Sequence, residues 1–345
     1  MVPGRALSKT EHGKQIDVSE TEQATWPGVP APDDSVLPFA VEALGVRGRL
    51  VRLGPMVTDI LKRHSYPRGV AGLLAEAVAL TAMLGTSLKI DGKFILQTKT
   101  DGPVDMLVVD FSTPGRMRGY AHFDEDAVAA LEAGEERVTQ EQLMGTGYLA
   151  MTIDRGTAAD RYQGVVPLDG GTLTDAANTY FAQSEQIPTE VVLCAGQLIE
   201  PGEESDGGWR AGGIVVQHLP DNGAPSSMDI DSGDVPEGVE PFEFEEDDSW
   251  TRAKVLVRTA EDHELLDPTL AGERLLYRLY HEDGVRAFTP VEIERHCTCS
   301  RDRVEDMLKQ FGADELEDMA KNGAIEVTCE FCNAVYDFAL EDIDA

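Results

Sequence analysis

His296-Cys297-Thr298-Cys299-Ser300-Arg301, then 29 residues after Cys299 without a cysteine, then Cys329-Glu330-Phe331-Cys332: this stretch decides how the last part of the chain folds. Four of the five cysteines fall in it. In an oxidising compartment such a grouping reads as a disulfide framework, and in a reducing one as a metal site. Two paired knuckles supply four thiolates, the donor set of a closed tetrahedral Zn²⁺ site. The expected ligands are Cys297, Cys299, Cys329 and Cys332, with one Zn²⁺ per chain in the reduced form. On an extended strand Cys297 and Cys299 would point to opposite faces, so the chain must bend between them. His296 is a further donor beside the first knuckle, but four cysteines already complete the set.

The residues between the knuckles carry weak patterns. Val304, Met307, Leu308 and Phe311 fall at i, i+3, i+4 and i+7 and predict a helix stopped by Gly312. Asp314 with Glu317 predicts a capping box for a second short helix, ended by Asn322-Gly323. Ile325, Val327 and Cys329 alternate as a strand and Tyr336 and Phe338 as its return, with the second knuckle in the turn. A unit of about 55 residues is marginal alone, whereas structural zinc in small peptides adds about 10–16 kcal/mol of apparent binding free energy. The module is therefore expected to unfold when the ion is removed. Each cysteine also has a neighbour close enough for a disulfide, and oxidised sulfur is a poor ligand. The site is either an inert staple or a redox switch, and spacing leaves both open.

Upstream, from Leu37 to about Pro220, the pattern is that of a mixed α/β domain. Residues 46–53 read as a strand, Gly54-Pro55 opens a helix, and residues 68–88 predict the longest helix. Residues 93–99, 104–110, 116–121, 147–153, 189–199 and 213–217 read as strands and 172–184 as a helix. Cys194, inside the fifth of these strands, is expected to be a small buried apolar residue. At 221–248, Pro, Gly and Ser mix with many acids, the composition of a solvated spacer. Residues 250–259 and 267–281 read as helices, the second starting at Asp267-Pro268 with Leu275, Leu276, Leu279 and Tyr280 on its apolar face. Thr289-Pro290 with Glu292 predicts one more helix leading into Cys297.

With 63 acidic and 29 basic side chains in 345 residues, the formal net charge is −34. That argues against sequence-independent nucleic-acid binding and against an anionic membrane surface. The most apolar stretch, residues 70–84, contains Glu76 and falls short of the ~20 residues a membrane span needs. The first 34 residues carry acids and no apolar run, so no secretory signal is read there and the expected place is the cytoplasm. No catalytic pattern stands out. Gly145-Thr146-Gly147 lacks a third glycine at dinucleotide-binding spacing, and His64, His122 and His218 are scattered. Arg295, Arg301 and Arg303 beside the cysteines fit a zinc-ribbon nucleic-acid module less well than they fit neutralisation of the −2 charge of a four-thiolate zinc site.

The cysteine motif, with Tyr336-Asp337-Phe338 behind it, resembles that of the redox-regulated 33-kDa heat-shock chaperonin family, a zinc-binding holdase. The likeness extends through Arg47-Gly48-Arg49, Asp101-Gly102-Pro103, Arg118-Gly119-Tyr120, Tyr162-Gln163-Gly164, the run from Tyr180 to Gln186, and Trp209-Arg210-Ala211-Gly212-Gly213. The resemblance implies an α/β (α+β) core with a mixed sheet, a helical linker and a small C-terminal zinc-binding domain. The expected boundaries are a mobile tail at 1–36, the core at 37–220, the acidic insert and metastable linker at 221–289, and the zinc-binding redox-switch domain at 290–345. It further implies that oxidants form the disulfides Cys297–Cys299 and Cys329–Cys332, release Zn²⁺, and produce a homodimer that holds unfolded or oxidatively damaged client proteins without ATP. Neither nucleic acid nor membrane is an expected partner, and no catalytic or cofactor-binding residue is expected. The alternative is a metabolic or thiol enzyme with a purely structural four-cysteine zinc site.

Overall fold

Alternation and burial together sort the strands into two sheets on either side of one helix. The computed structural model describes residues 16–17, 31–88, 91–134, 138–156, 161–198, 208–219, 248–321 and 323–343. Most of the expected tail and the acidic insert up to 247 lie outside them. The described chain starts with strands Ile16–Asp17 (β1), Ser35–Val41 (β2) and Val46–Leu53 (β3), then helices Pro55–Leu61 (α1) and Arg68–Gly85 (α2). Strands Lys93–Thr100 (β4), Met106–Ser112 (β5) and Arg116–His122 (β6) follow, then helices Glu125–Gly134 (α3) and Gln140–Met144 (α4). Strands Thr146–Asp154 (β7) and Arg161–Asp169 (β8), helix Leu173–Tyr180 (α5), and strands Thr189–Gln197 (β9) and Trp209–His218 (β10) complete the core.

One sheet runs β6-β5-β4-β7-β8 and the other β2-β3-β10-β9, every pair in them antiparallel. In the first sheet Phe94, Leu96, Leu107, Val109, Phe111 and Met117 point inward onto α2 and their neighbours point out, the alternation of a half-buried antiparallel sheet. The helix α2 is buried almost all round, from Val70 to Gly85, as a helix apolar on every side must be. It is 18 residues long and, by length and composition, apolar enough to cross a membrane, whereas the sequence reading took the apolar stretch at 70–84 as too short for that. Its burial between the two sheets accounts for that composition instead.

The strand β3 alternates imperfectly because both of its faces are covered. Val51 and Leu53 join the core around α2, while Val46 and Leu50 face a second cluster built with the segment after the insert. That segment comprises helices Asp248–Val257 (α6), Asp262–Leu266 (α7) and Gly272–Tyr280 (α8), then strands Arg286–Ala287 (β11), Val291–Glu292 (β12) and Glu294–Arg295 (β13). Trp250, Ala253, Val257, Leu265, Leu275, Leu276, Leu279 and Tyr280 pack on Leu37, Phe39, Ile214 and Val216. Arg52, 8% exposed, donates from its guanidinium to the backbone carbonyls of Asp267 and Leu270. Among the described residues, β11 and β12 pair with β2, β1 pairs with β11, and β13 joins β6 in parallel, which makes the first sheet mixed.

Three local expectations change. The helix read at residues 267–281 starts only at Gly272, because Pro268 forces the preceding residue out of the helical region and α7 ends at Leu266. The helix predicted after Thr289-Pro290 is instead the strand pair β12 and β13, held by backbone pairing to the two sheets. The second helix between the knuckles, Ala313–Met319 (α10), is capped by Gly312 and Glu315, whose carboxylate accepts the Gly312 N–H at 2.9 Å, rather than by Asp314 and Glu317.

Gly48 is required by a close approach. A Cβ there would stand 2.2 Å from the Phe39 ring and 2.6 Å from the Val215 carbonyl oxygen. Gly48→Ala is expected to cost about 1–3 kcal/mol through overpacking and to lower the melting temperature, as thermal unfolding would read. An unchanged melting temperature would contradict this packing.

Candidate metal centre

Backbone hydrogen bonds shape each knuckle before any metal is considered. The first follows β13: the His296 N–H donates to the Met117 carbonyl at 2.7 Å, and the chain then leaves the sheet. Arg303 donates to the Thr298 carbonyl at 2.8 Å, and Ser300 caps helix Arg301–Leu308 (α9) by accepting from the Arg303 N–H at 3.3 Å. These contacts fix the bend that the C-x-C spacing demanded. The second knuckle joins strands Ala324–Thr328 (β14) and Val335–Ala339 (β15). There the Asn333 N–H donates to the Cys329 carbonyl at 2.8 Å and the Cys329 N–H to the Ala334 carbonyl at 2.9 Å. Asn333 takes the left-handed conformation at φ 55°, which asparagine tolerates.

The result is a cluster of four half-buried sulfurs, Cys297, Cys299, Cys329 and Cys332, all within 4.8 Å of one another. Cys297 lies 3.7 Å from Cys329 and Cys299 lies 3.3 Å from Cys332. Four Zn–S bonds of 2.3 Å in a tetrahedron place sulfurs about 3.8 Å apart, so the donor set and its spacing fit a tetrahedral thiolate metal. His296 is not in the cluster. Burial raises the Cys297 thiol, but the Cys299 N–H and the neighbouring thiols outweigh it and bring it down to about 7. Burial pushes Cys329 and Cys332 up, and for Cys332 the adjacent Cys299 thiol adds to the rise. Four thiols this close do not all lose their protons unless a cation lies among them. The Tyr336 hydroxyl donates to the Cys299 sulfur at 3.2 Å.

A family profile described as "Hsp33 protein" matches residues 34–339. The chain belongs to the Hsp33 family. Among its relatives, a "33 kDa chaperonin" of Caulobacter vibrioides (strain NA1000 / CB15N) is 44% identical over 305 residues, covering 88% of this chain and 94% of the relative. One of Proteus mirabilis (strain HI4320) is 35% identical over 312 residues, covering 90% and 95%. The crystal structure of the 33 kDa chaperonin from Thermotoga maritima superimposes with a TM-score of 0.69 over 90% of this chain and 96% of that one; at 23% identity this likeness shows the fold. Family membership makes the chain a chaperone rather than the enzyme of the alternative reading.

The three arginines expected to neutralise this Hsp33 site are engaged elsewhere: Arg295 pairs with Asp59, Arg301 lies 4.3 Å over the Phe338 ring, and Arg303 holds the Thr298 carbonyl. The cation at the knuckles is Arg118, from β6 of the core. Its guanidinium donates to the Thr298 hydroxyl at 3.1 Å, between the cysteines of the first knuckle, and lies 3.9 Å over the Phe331 ring of the second. Asp110 pairs with it at 2.6 Å. Around Phe331 stand Tyr120, with ring centroids 6.3 Å apart, and then His64, 5.6 Å from Tyr120. Sequence reasoning placed Arg118 in the family likeness but had no signal for its contacts, since they join positions about 180 residues apart. Cys194 is 4% exposed against the Gly212 carbonyl, and burial raises its thiol, as expected of a core residue. His122 pairs with Asp105 and His218 stacks on Trp250, so the scattered histidines form no common site among the described residues.

Proposed function

We propose that this Hsp33 chain is a redox-regulated, ATP-independent holdase of the cytoplasm whose switch is a Zn²⁺ site formed by Cys297, Cys299, Cys329 and Cys332. The observation that carries the reading is the pairing of a four-sulfur cluster with a module that buries few residues of its own, namely Leu308, Leu316, Ile325, Phe338 and Ile343. When bound, the ion cross-links the two knuckles. The thiolates react with a two-electron oxidant such as peroxide, and four thiolates become two disulfides. With two peroxides and four protons consumed, four waters form and Zn²⁺ leaves as a free ion.

The disulfides are Cys297–Cys299 and Cys329–Cys332. The shortest sulfur separations join the knuckles instead, but in a tetrahedral cluster the edges are nearly equal. Once the module loosens, only the neighbours within a knuckle stay close, because closing a short loop costs little entropy. In this reading the core runs to about 220, the linker comprises α6 to α8 and the switch domain starts at about 290; three separate apolar clusters support the division, with Val291 and Ile293 packed on the core. Without the switch domain the linker loses its C-terminal anchor, and the sheet face of Leu37, Phe39, Ile214 and Val216 becomes the apolar surface that holds unfolded clients and supports a homodimer.

The test measures zinc release and suppression of client aggregation together, with disulfides mapped by mass spectrometry. Peroxide with mild heating is expected to release one Zn²⁺ per chain, form the two disulfides and switch on suppression. Equal suppression by reduced and oxidised protein would count against the reading.

A further inference from the structure

The switch domain meets the core first through the short strands β12 and β13 and then, at its two knuckles, through the Arg118 side chain. Gly115 and Met117 of the core accept the N–H groups of Glu294 and His296 at 2.9 and 2.7 Å, and a Cβ on Gly115 would stand 2.1 Å from the Glu292 carbonyl oxygen. Next to this short strand, Arg118 meets both knuckles at once: Thr298, between the two cysteines of the first, and the Phe331 ring, between those of the second. The recess around it is lined by Lys93, Asp110, Arg116, Arg118, His296 and Thr298. The core thus presents a cationic seat, with the Arg118 side chain only 23% exposed.

We infer that Arg118 is the positioning residue through which the core reads the charge of the metal site, and that it docks the switch domain only while the four sulfurs are thiolates. This rests on the function proposed above and names the regulation of the same site. A four-thiolate Zn²⁺ site carries two negative charges, and two disulfides carry none. A guanidinium in partial burial, held at Thr298 between two of the ligands, is therefore attracted to the site in the first state and keeps only neutral contacts with the domain in the second. Asp110, 2.6 Å away and 14% exposed, pairs with Arg118 in both states. The cation is never stranded, so oxidation removes the domain's hold on the core without unfolding the core. The cation–ring contact to Phe331 places the second knuckle on the same guanidinium, so both disulfides report to one residue.

The test uses the full-length reduced chain loaded with Zn²⁺ and reads amide exchange at Glu294 and His296. Arg118→Met is expected to retain its Zn²⁺ and core protection while these two amides exchange about ten- to a hundred-fold faster, with Arg118→Lys between it and the wild type. The decisive quantity is the ratio of exchange rates between metal-stripped and loaded reduced protein. It is large in the wild type and falls toward one in Arg118→Met; because metal removal unfolds the module, a purely packing role would lower the ratio as well, and it is told apart by salt, which would then leave the two amides of the loaded wild type unchanged. A preserved ratio overturns the inference. Should Arg118→Met lose core protection, the wild type decides through ionic strength: salt quickens the two amides in the loaded form alone if charge holds the seat, and salt-independence in both forms overturns it. If the wild-type amides do not quicken on oxidation, the redox reading itself fails, whatever the variants show.

Discussion

A Cys332→Ser chain, reduced and supplied with Zn²⁺, is expected to hold no stoichiometric metal and to lose amide protection across residues 297–343 while α2 keeps its own. The reason is the poverty of the module's interior. Leu308 and Leu316 from two short helices, Ile325 and Phe338 from a two-stranded sheet, and Ile343 are its buried residues, and Met307, expected on the buried helix face, is 42% exposed. Two strands with so little beneath them are marginal in water. The apparent contribution of structural zinc, about 10–16 kcal/mol, equals or exceeds the whole stability of an ordinary domain, about 5–15 kcal/mol. Losing one of four thiolates therefore unfolds the module. The core is independent of it, because among the described residues beyond β10 the cluster around α2 buries only Ile293, with Val291 packed at its margin. Exchange measured residue by residue checks both halves of the expectation.

The second large effect concerns the linker. Tyr280 is fully buried, its ring centroid 5.9 Å from that of Phe39. Phe39 in turn lies against Gly48 on the neighbouring strand. Tyr280→Ala removes a large, fully buried side chain from this second cluster and is expected to cost about 3–5 kcal/mol, the range for truncating a large buried aromatic. The linker helices are short and do not stand alone, so the cost falls on their docking rather than on the core. The reduced, metal-loaded variant is then expected to expose the apolar sheet face and suppress client aggregation without any oxidant. Binding of a hydrophobic dye and a thermal aggregation assay, with zinc content measured in parallel, check it. A variant that keeps its zinc, exposes the face and still fails to suppress aggregation would place the client surface elsewhere.

These expectations rest on features that differ in how far the sequence discloses them. The knuckles were legible because metal-ligand spacing is local and few other patterns mimic it. The strands β4, β5 and β6 were legible because one face of each is buried and the other wet, so polarity alternates. The strands β2 and β8 were hidden by Pro38 and Pro167. Both prolines are tolerated where pairing is incomplete: Pro38 lies between the short partners β11 and β12, and β8 ends its sheet among the described residues. The segment before Cys297 reads locally as a helix start and is drawn into two strands by β2 and β6, partners distant in sequence. Arg118 is the extreme case: nothing near it in sequence announces a knuckle, and only the fold brings the two together.

The central claim is that sulfur coordination keeps the C-terminal module folded and, through it, the linker docked. It is tested most directly by following zinc release and amide exchange in one peroxide-treated sample. The account predicts that protection of Leu308 and Phe338, and then of Leu276 and Tyr280, disappears in step with the metal while Leu74 and Leu80 in α2 stay protected. A module still protected after its zinc has gone would contradict it.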